Sequence, residues 1–362
     1  MAKKIYTVGD ICNTLETIAP SYLALENDPT GLLVGDWDAT VQKVLVALDV
    51  TMAVVERAAE TGAGMIIAHH PLIYHPLRAV RVDEPHPGRV VYEAIRAGIA
   101  VACAHTCWDV APGGVNDVLA GLLGLEKVRP LKITCREPLV KIAVFVPVEH
   151  REAVLNAMAE AGAGAIGEYD RCAFWTSGTG TFRPLPGANP FVGTVGEPEQ
   201  VAEERLEMIV PETRWRGVVQ AMKAAHPYEE VAFDVFPLQN TEQEYGIGRI
   251  GELPEPVMAE EFLGRVQKAL SFDAVRMAGP VDRTLRRVAV CGGAGANLLP
   301  QALASGADAL VTSDVRHHEF VDAAERGFVL IDAGHAATET PGSRELANRL
   351  AGALPKVPVE FI

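Results

Sequence analysis

Residues 64–76 read GMIIAHHPLIYHP. A short apolar run, Met65–Ala68, meets two adjacent histidines, His69 and His70, and then Pro71. An apolar run of this length between turn signals reads as a buried strand, and proline stops it. The question the stretch poses is why two imidazoles stand side by side where a buried strand ends.

The sequence around it supplies the fold. Upstream, VLVALDV (44–50) is a strand and MAVVERAAETG (52–62) a helix with a glycine stop. Downstream, GRVVYEAIRAG (88–98) is a helix and IAVACA (99–104) a strand. Strands alternating with helices of this length imply right-handed crossovers and a largely parallel sheet. The same grammar returns late in the chain. RVAVC (287–291), ADALVT (307–312) and FVLID (328–332) are strands; NLLPQALASG (297–306), VRHHEFVDAAERG (315–327) and RELANRLAGAL (344–354) are helices. The middle differs: residues 141–184 read strand, helix, strand, loop, strand and 206–238 repeat strand, helix, strand, a β-α-β-β-α-β order of ferredoxin-like type. Between them lies a Gly- and Pro-rich loop, GTGTFRPLPGANPFVGTVGEPEQ. The expected architecture is α/β: two α/β blocks, 1–135 and 240–362, form one metal-binding unit interrupted by a ferredoxin-like α+β insert at 136–239.

Bulk properties narrow the function. The 362 residues are 49% hydrophobic, enough for substantial cores, and the net charge is −15. An acidic chain lacks the basic face that nucleic acid or an anionic membrane surface attracts. No apolar run reaches the roughly 18 residues of a membrane span. The opening MAKKIYTVGDI has no apolar signal core, so the expected location is cytoplasmic. Cys12, Cys103, Cys107, Cys135, Cys172 and Cys291 form no CxxC pair and read as free thiols.

Three strand ends carry ligand-type side chains. His69 and His70 follow MIIA, His105 and Asp109 follow IAVACA, and His335 and Glu339 follow FVLI. Open parallel sheets bind ligands at the carboxyl ends of their strands, so these groups converge. Singly each is weak, since a His-His pair is often structural. Together they point to metal. Their number exceeds what one tetrahedral ion uses, which argues for two ions sharing a carboxylate. Mixed N and O donors suit zinc, iron, manganese, nickel or cobalt.

The motifs AHHPLIY, AHTCWDVAPGGVND and GHAATETPG, with NDPTGLLVGD, ALDVT, CGGAG and TSDVRHH, resemble the Ngg-interacting-factor-three family of dinuclear metal-centre proteins, the GTP cyclohydrolase I type 2 homologues. The resemblance covers both α/β blocks. The middle, through HPYEEVAFDVFPL, resembles a PII- or cation-tolerance-like insert. The resemblance implies that His69 and His335 ligate one divalent ion, His70 and Asp109 a second, and that Glu339 bridges them. It also implies that His105 is a neighbour of the ligands, supporting them or binding weakly, and that the chain forms a toroidal homohexamer acting on a nucleotide or other small molecule. A hydrolytic reaction also needs a general acid, for which His105 and His318 are the candidates. Cys107 stands where the family commonly has Asn; it either packs or adds a soft ligand, and packing is the favoured reading. His317 stands where the family has an aromatic residue. The loop Gly292-Gly293-Ala294-Gly295 is either a tight turn or an anion cradle, and Asp314 and His318 both lie beyond ALVT within reach of the same crevice. The competing reading is a non-enzymatic protein that stores or senses metal, with the insert reading an effector. In either case the pair at 69–70 has two explanations: each imidazole serves its own ion, or one faces the pocket while the other caps the turn.

Overall fold

The structure is a computed structural model that describes residues 6–83 and 86–362; the basic lead before Tyr6 lies outside the described residues. The chain divides into two compact units, one of residues 1–135 with 245–362 and the other of 136–244. Both boundaries fall inside long strands, Glu126–Pro147 and Phe233–Met258.

In the first unit, Val44–Ala47, Met65–Ala68 and Ala100–Cys103 pair in parallel, with Met65 opposite Val44 and Ala100. Val359–Phe361 joins one edge in parallel and Gly31–Val34 closes the other antiparallel. Every residue of the three central strands is buried. Side chains alternate along a strand, and here each face meets its own core. Val44, Val46, Met65, Ile67, Ala100 and Ala102 enter one cluster. Leu45, Ile66, Ala68 and Val101 enter another, with helices Met52–Thr61 and Gly88–Arg96. Burial on both faces is why these strands are uninterrupted apolar runs. Thr51 caps the first helix by accepting the Val54 N–H, and Gly62, at φ 69°, ends it.

A second set of parallel strands follows the same rule: Thr284–Val290, Ala309–Thr312 and Val329–Asp332. Val288, Val290, Ala309, Val311, Val329 and Ile331 fill one core, and Ala289, Leu310 and Leu330 the opposite one. The antiparallel strand Arg276–Ala278 borders Val329–Asp332.

The last helix departs from expectation. It runs from His335 to Ala353, starting nine residues before the expected Arg344, and passes through Pro341. Proline inside a helix removes one hydrogen bond. Burial offsets that cost, because Thr338, Glu339, Gly342, Ser343, Leu346 and Leu350 all face inward. Gly342 lets the helix touch helix Val115–Leu122, where an added Cβ would sit 2.6 Å from Val115 Cα. The indole N–H of buried Trp108 donates to the Gly342 carbonyl at 2.9 Å.

The second unit follows the order strand, helix Arg151–Glu160, strand Ala173–Phe182, strand Glu199–Pro211, helix Trp215–Ala225, strand. Residues 178–182 and 199–200, expected in the loop, belong to its strands, with Phe182 opposite Glu199. His226 is structural here: its Nε2–H donates to Phe145 O at 3.0 Å and its Nδ1 accepts the Tyr228 N–H at 3.1 Å.

Candidate metal centre

The strand ends of the first unit build the site. His69 and His70 leave Met65–Ala68 still paired, their N–H groups donating to Ala47 O and Leu48 O. Asp109 lies on the short helix Thr106–Val110 just beyond Ala100–Cys103. His335 and Glu339 occupy successive turns of the last helix, so both face the same way.

One arrangement recurs at all four imidazoles. His69 Nδ1 lies 3.0 Å from Ala104 O, His70 Nδ1 2.9 Å from Asp49 Oδ1, His105 Nδ1 2.7 Å from Asp28 Oδ1, and His335 Nδ1 2.6 Å from Asp314 Oδ2. Each partner only accepts, so each Nδ1 is the N–H donor. A neutral ring then keeps an unprotonated Nε2. Three of these Nε2 atoms, those of His69, His70 and His335, meet around one carboxylate. His70 Nε2 and His335 Nε2 are each 3.0 Å from Glu339 Oε2 and 3.2 Å from each other. His69 Nε2 is 3.7 Å from Glu339 Oε1 and 3.6 Å from Asp109 Oδ1. His69, His70 and His105 form one group of close nitrogens, and His70, His335 and Glu339 a second.

Lone pairs facing lone pairs at 3 Å repel unless a proton or a cation lies between them. His69 Nε2, Asp109 Oδ1 and Glu339 Oε2 are buried without a hydrogen-bond partner, a costly condition in a protein interior. The chain answers it with protons. Burial alone pushes His69 down, but the Asp109 and Glu339 carboxylates reverse this and raise it to about 9. Glu339 raises His335 to about 9 against burial, with Asp314 adding to the effect. Burial pushes Asp109 up to about 6, although His69 opposes it. Glu339 is held far below the usual carboxylate range; burial opposes this, and the three histidines outweigh it. A divalent ion satisfies the same lone pairs. Two donors about 2.1 Å from one tetrahedral ion lie roughly 3.4 Å apart, close to the 3.2 Å between His70 and His335. Imidazoles whose second nitrogen is held by a carboxylate or a carbonyl are the ordinary outer support of metal ligands. The residues fit a metal.

The five residues lie together, with His70 beside His335 and His69 beside Asp109; the resemblance implies His69 with His335 and His70 with Asp109. Position explains it. Asp109 follows the strand next to that of His69, while the His335–Glu339 turn presents one face to His70. Both histidines of the 69–70 pair face the cluster, with ring centroids 5.1 Å apart, so neither is spent on capping the turn. His105 stands among the imidazoles. His318 and His317 are exposed on helix His317–Glu325, outside both groups. Cys107 is buried in the core, its Sγ 3.3 Å from Thr30 Oγ1, and burial pushes its thiol up to about 12. It packs.

The glycine loop is a wall and not an anion cradle. The Gly292 N–H donates to Asn116 Oδ1, that of Gly293 to Thr338 Oγ1 and that of Gly295 to Thr312 Oγ1. Gly293, at φ 64°, leaves the space that Glu339 Oε1 fills. Three carboxylates lay outside the expected ligand set. Asp314, itself at φ 54°, was placed only near the crevice; Asp28 and Asp49 stood in the quoted runs NDPTG and ALDVT with nothing local to mark them. Asp28 also accepts the Thr106 N–H at 3.1 Å.

An α/β chain of this kind gathers, beyond its parallel strands, His/Glu groups that could hold a metal ion. Residues 6–362 match the family model for Duf34/NIF3 (NGG1p interacting factor 3), and the chain belongs to that family. A Halalkalibacterium halodurans protein named GTP cyclohydrolase 1 type 2 homolog is 43% identical over 332 residues, covering 92% of this chain and 89% of its own length. A Bacillus subtilis protein of the same name is 43% identical over 337 residues, covering 93% and 90%. The crystal structure of a Bacillus cereus protein related to NIF3 matches with a TM-score of 0.90 at 41% identity, over 99% of this chain and 97% of that one. No described helix is long and apolar enough to cross a membrane.

Proposed function

We propose that this chain is a hydrolase using two divalent ions and acting on a nucleotide of the GTP class. The observation that carries the reading is the uniform orientation of the four imidazoles, each Nδ1 outward to a fixed acceptor, with the Nε2 atoms of His69, His70 and His335 inward on Glu339. His70, His335 and Glu339 Oε2 would hold one ion; His69, Asp109 and Glu339 Oε1 would hold the other, with His105 beside them. Bound there, the ions would supply Lewis acidity and a water acidified toward neutrality.

The chain's own groups do the rest. Asp49, Asp314 and Asp28 keep three rings in the tautomer that offers Nε2 inward. Gly293 admits Glu339, and the Gly292–Gly295 loop is closed to a phosphate by its own hydrogen bonds. His105, partly exposed and paired with Asp28, would take up a proton at Nε2 and then pass it to a leaving atom, the role expected of either His105 or His318. The relatives' names favour GTP as substrate, with water attacking the imidazole ring of the base. The test is to incubate metal-loaded protein with GTP and follow ring opening. Turnover lost in Glu339→Gln supports the reading. No product from GTP with any of the candidate metals removes it, and phosphoester substrates become the next class to try.

We also infer that the second unit is an inserted ferredoxin-like domain of the PII type. Its strand order, with Phe233–Met258, Glu126–Pro147, Glu199–Pro211 and Ala173–Phe182 as successive neighbours, supports this. Family membership favours the toroidal homohexamer, for which native mass spectrometry should read about six chain masses.

A further inference from the structure

The second unit contains a cavity of about 780 Å³, a size that suits a small organic molecule. Its walls include Phe145, Phe182, Phe191 and Tyr228, and its polar lining includes Glu203 and Arg205. The rings support one another: Tyr228 lies 6.1 Å from both Phe182 and Phe191, centroid to centroid. The loop carrying Phe191 is fixed by the Asn189 N–H, which donates to Glu229 Oε1 at 2.8 Å, and by the Gly196 N–H to Pro184 O at 2.8 Å.

Glu203 is the unexplained group. It is 9% exposed and sits on strand Glu199–Pro211 opposite Gly178. Among the described residues its carboxylate makes no ion pair. Arg205, two residues on, pairs its Nη2 with Glu207 at 3.1 Å. Gly180 lies diagonally across the strand pair, and a Cβ there would overlap Glu203 Oε2. The glycine thus keeps room for the carboxylate at the cavity wall. Tyr228 adds a second polar atom, a buried hydroxyl beside the Glu203 carboxylate. Burial and the neighbouring Glu203 hold that phenol above its usual range, so it remains a donor or acceptor at neutral pH. A buried carboxylate without a counter-charge is expensive, and aromatic faces attract cations. Both features favour the same kind of ligand.

We propose that this cavity binds a small organic cation, an amine or amidinium group on an apolar body, with the charge on Glu203, the hydroxyl of Tyr228 beside it, and the apolar part against Phe182 and Phe191. This site is separate in kind from the metal centre and does not depend on the hydrolase reading. The test is calorimetric titration of the full-length, metal-replete chain with benzamidine, beside neutral benzamide and anionic phenylacetate as matched probes. Benzamidine should bind at one molecule per chain, at least ~10-fold more tightly than benzamide, and phenylacetate should give no binding. Glu203→Gln should weaken benzamidine by at least ~10-fold and remove its preference over benzamide. Phe191→Ala, at an exposed wall position, should weaken all apolar probes together and leave the preference intact. Equal binding of the three probes, benzamidine binding unchanged by both substitutions, or no binding at millimolar concentration would each overturn the proposal.

Discussion

Two polar clusters of the chain invite a ligand, and they differ in kind. In the first unit, lone pairs from four imidazoles and two carboxylates converge, with His70, His335 and Glu339 within 3.2 Å of one another. In the second unit, one carboxylate and one phenol border a cavity of about 780 Å³ walled by aromatic rings. Convergent donors with no space between them suit an ion; a lone charge beside open volume suits a molecule. The supports differ too. Each imidazole of the cluster is held from behind by an acceptor, whereas Glu203 has no ion-pair partner among the described residues. A ligand atom that must sit within tenths of an ångström needs that backing, and an apolar cavity does not.

The comparison breaks first at Glu339. Glu339→Ala should strip bound metal from the first unit, with a loss of affinity beyond the ~10–100-fold that outer partners cost, measured by metal competition with a chromophoric chelator. Probe binding in the second unit should be unchanged. Gly293→Ala attacks the same carboxylate from the backbone side: the new Cβ overlaps Glu339 Oε1 at a positive φ. It should cost about 1–2 kcal/mol in stability, read by denaturant unfolding, and lower metal content as Glu339 moves. Asp314→Asn and Asp49→Asn should each weaken metal binding about 10–100-fold, with the fold intact by circular dichroism.

A smaller effect separates protons from metal. In the metal-free protein His69 and His335 are raised to about 9. A raised histidine contributes stability that is complete below its ordinary value near 6.5 and is lost as pH rises through the folded value. Metal-free protein should therefore melt at a lower temperature at pH 9.5 than at pH 6.5. Metal binding at pH 7.5 must expel those protons, so its calorimetric heat should vary with the buffer's ionisation enthalpy. A melting temperature flat across this window would remove the proton-for-metal account. The smallest effect belongs to Cys107→Ala, which should cost about 1–2 kcal/mol of core packing and leave metal stoichiometry unchanged.

The parts legible in the sequence were those with a local signature. The parallel strands could be read because burial on both faces makes each one a continuous apolar run. His335 and Glu339 could be read because a four-residue step places them on one helix face. Asp28 and Asp49 reach their histidines across 77 and 21 residues, and no local pattern marks such a pairing. Pro341 signals a helix end, so a helix beginning at His335 is hidden; its buried face outweighs the missing hydrogen bond. Gly178 and Gly180 signal a loop, yet they lie in a strand where glycine makes room for Glu203. The cavity itself draws its walls from positions between 145 and 232, a shape that only the folded chain defines.

The central claim is that the inward Nε2 atoms and Glu339 hold metal. Elemental analysis of protein purified without chelator or affinity metal, beside a His70→Ala/Glu339→Ala double variant, tests it most directly. The account predicts about two transition-metal ions per chain, absent from the variant. Little metal in the unaltered protein, even after reconstitution with zinc, iron, manganese, nickel or cobalt, or equal metal in both proteins, would contradict it.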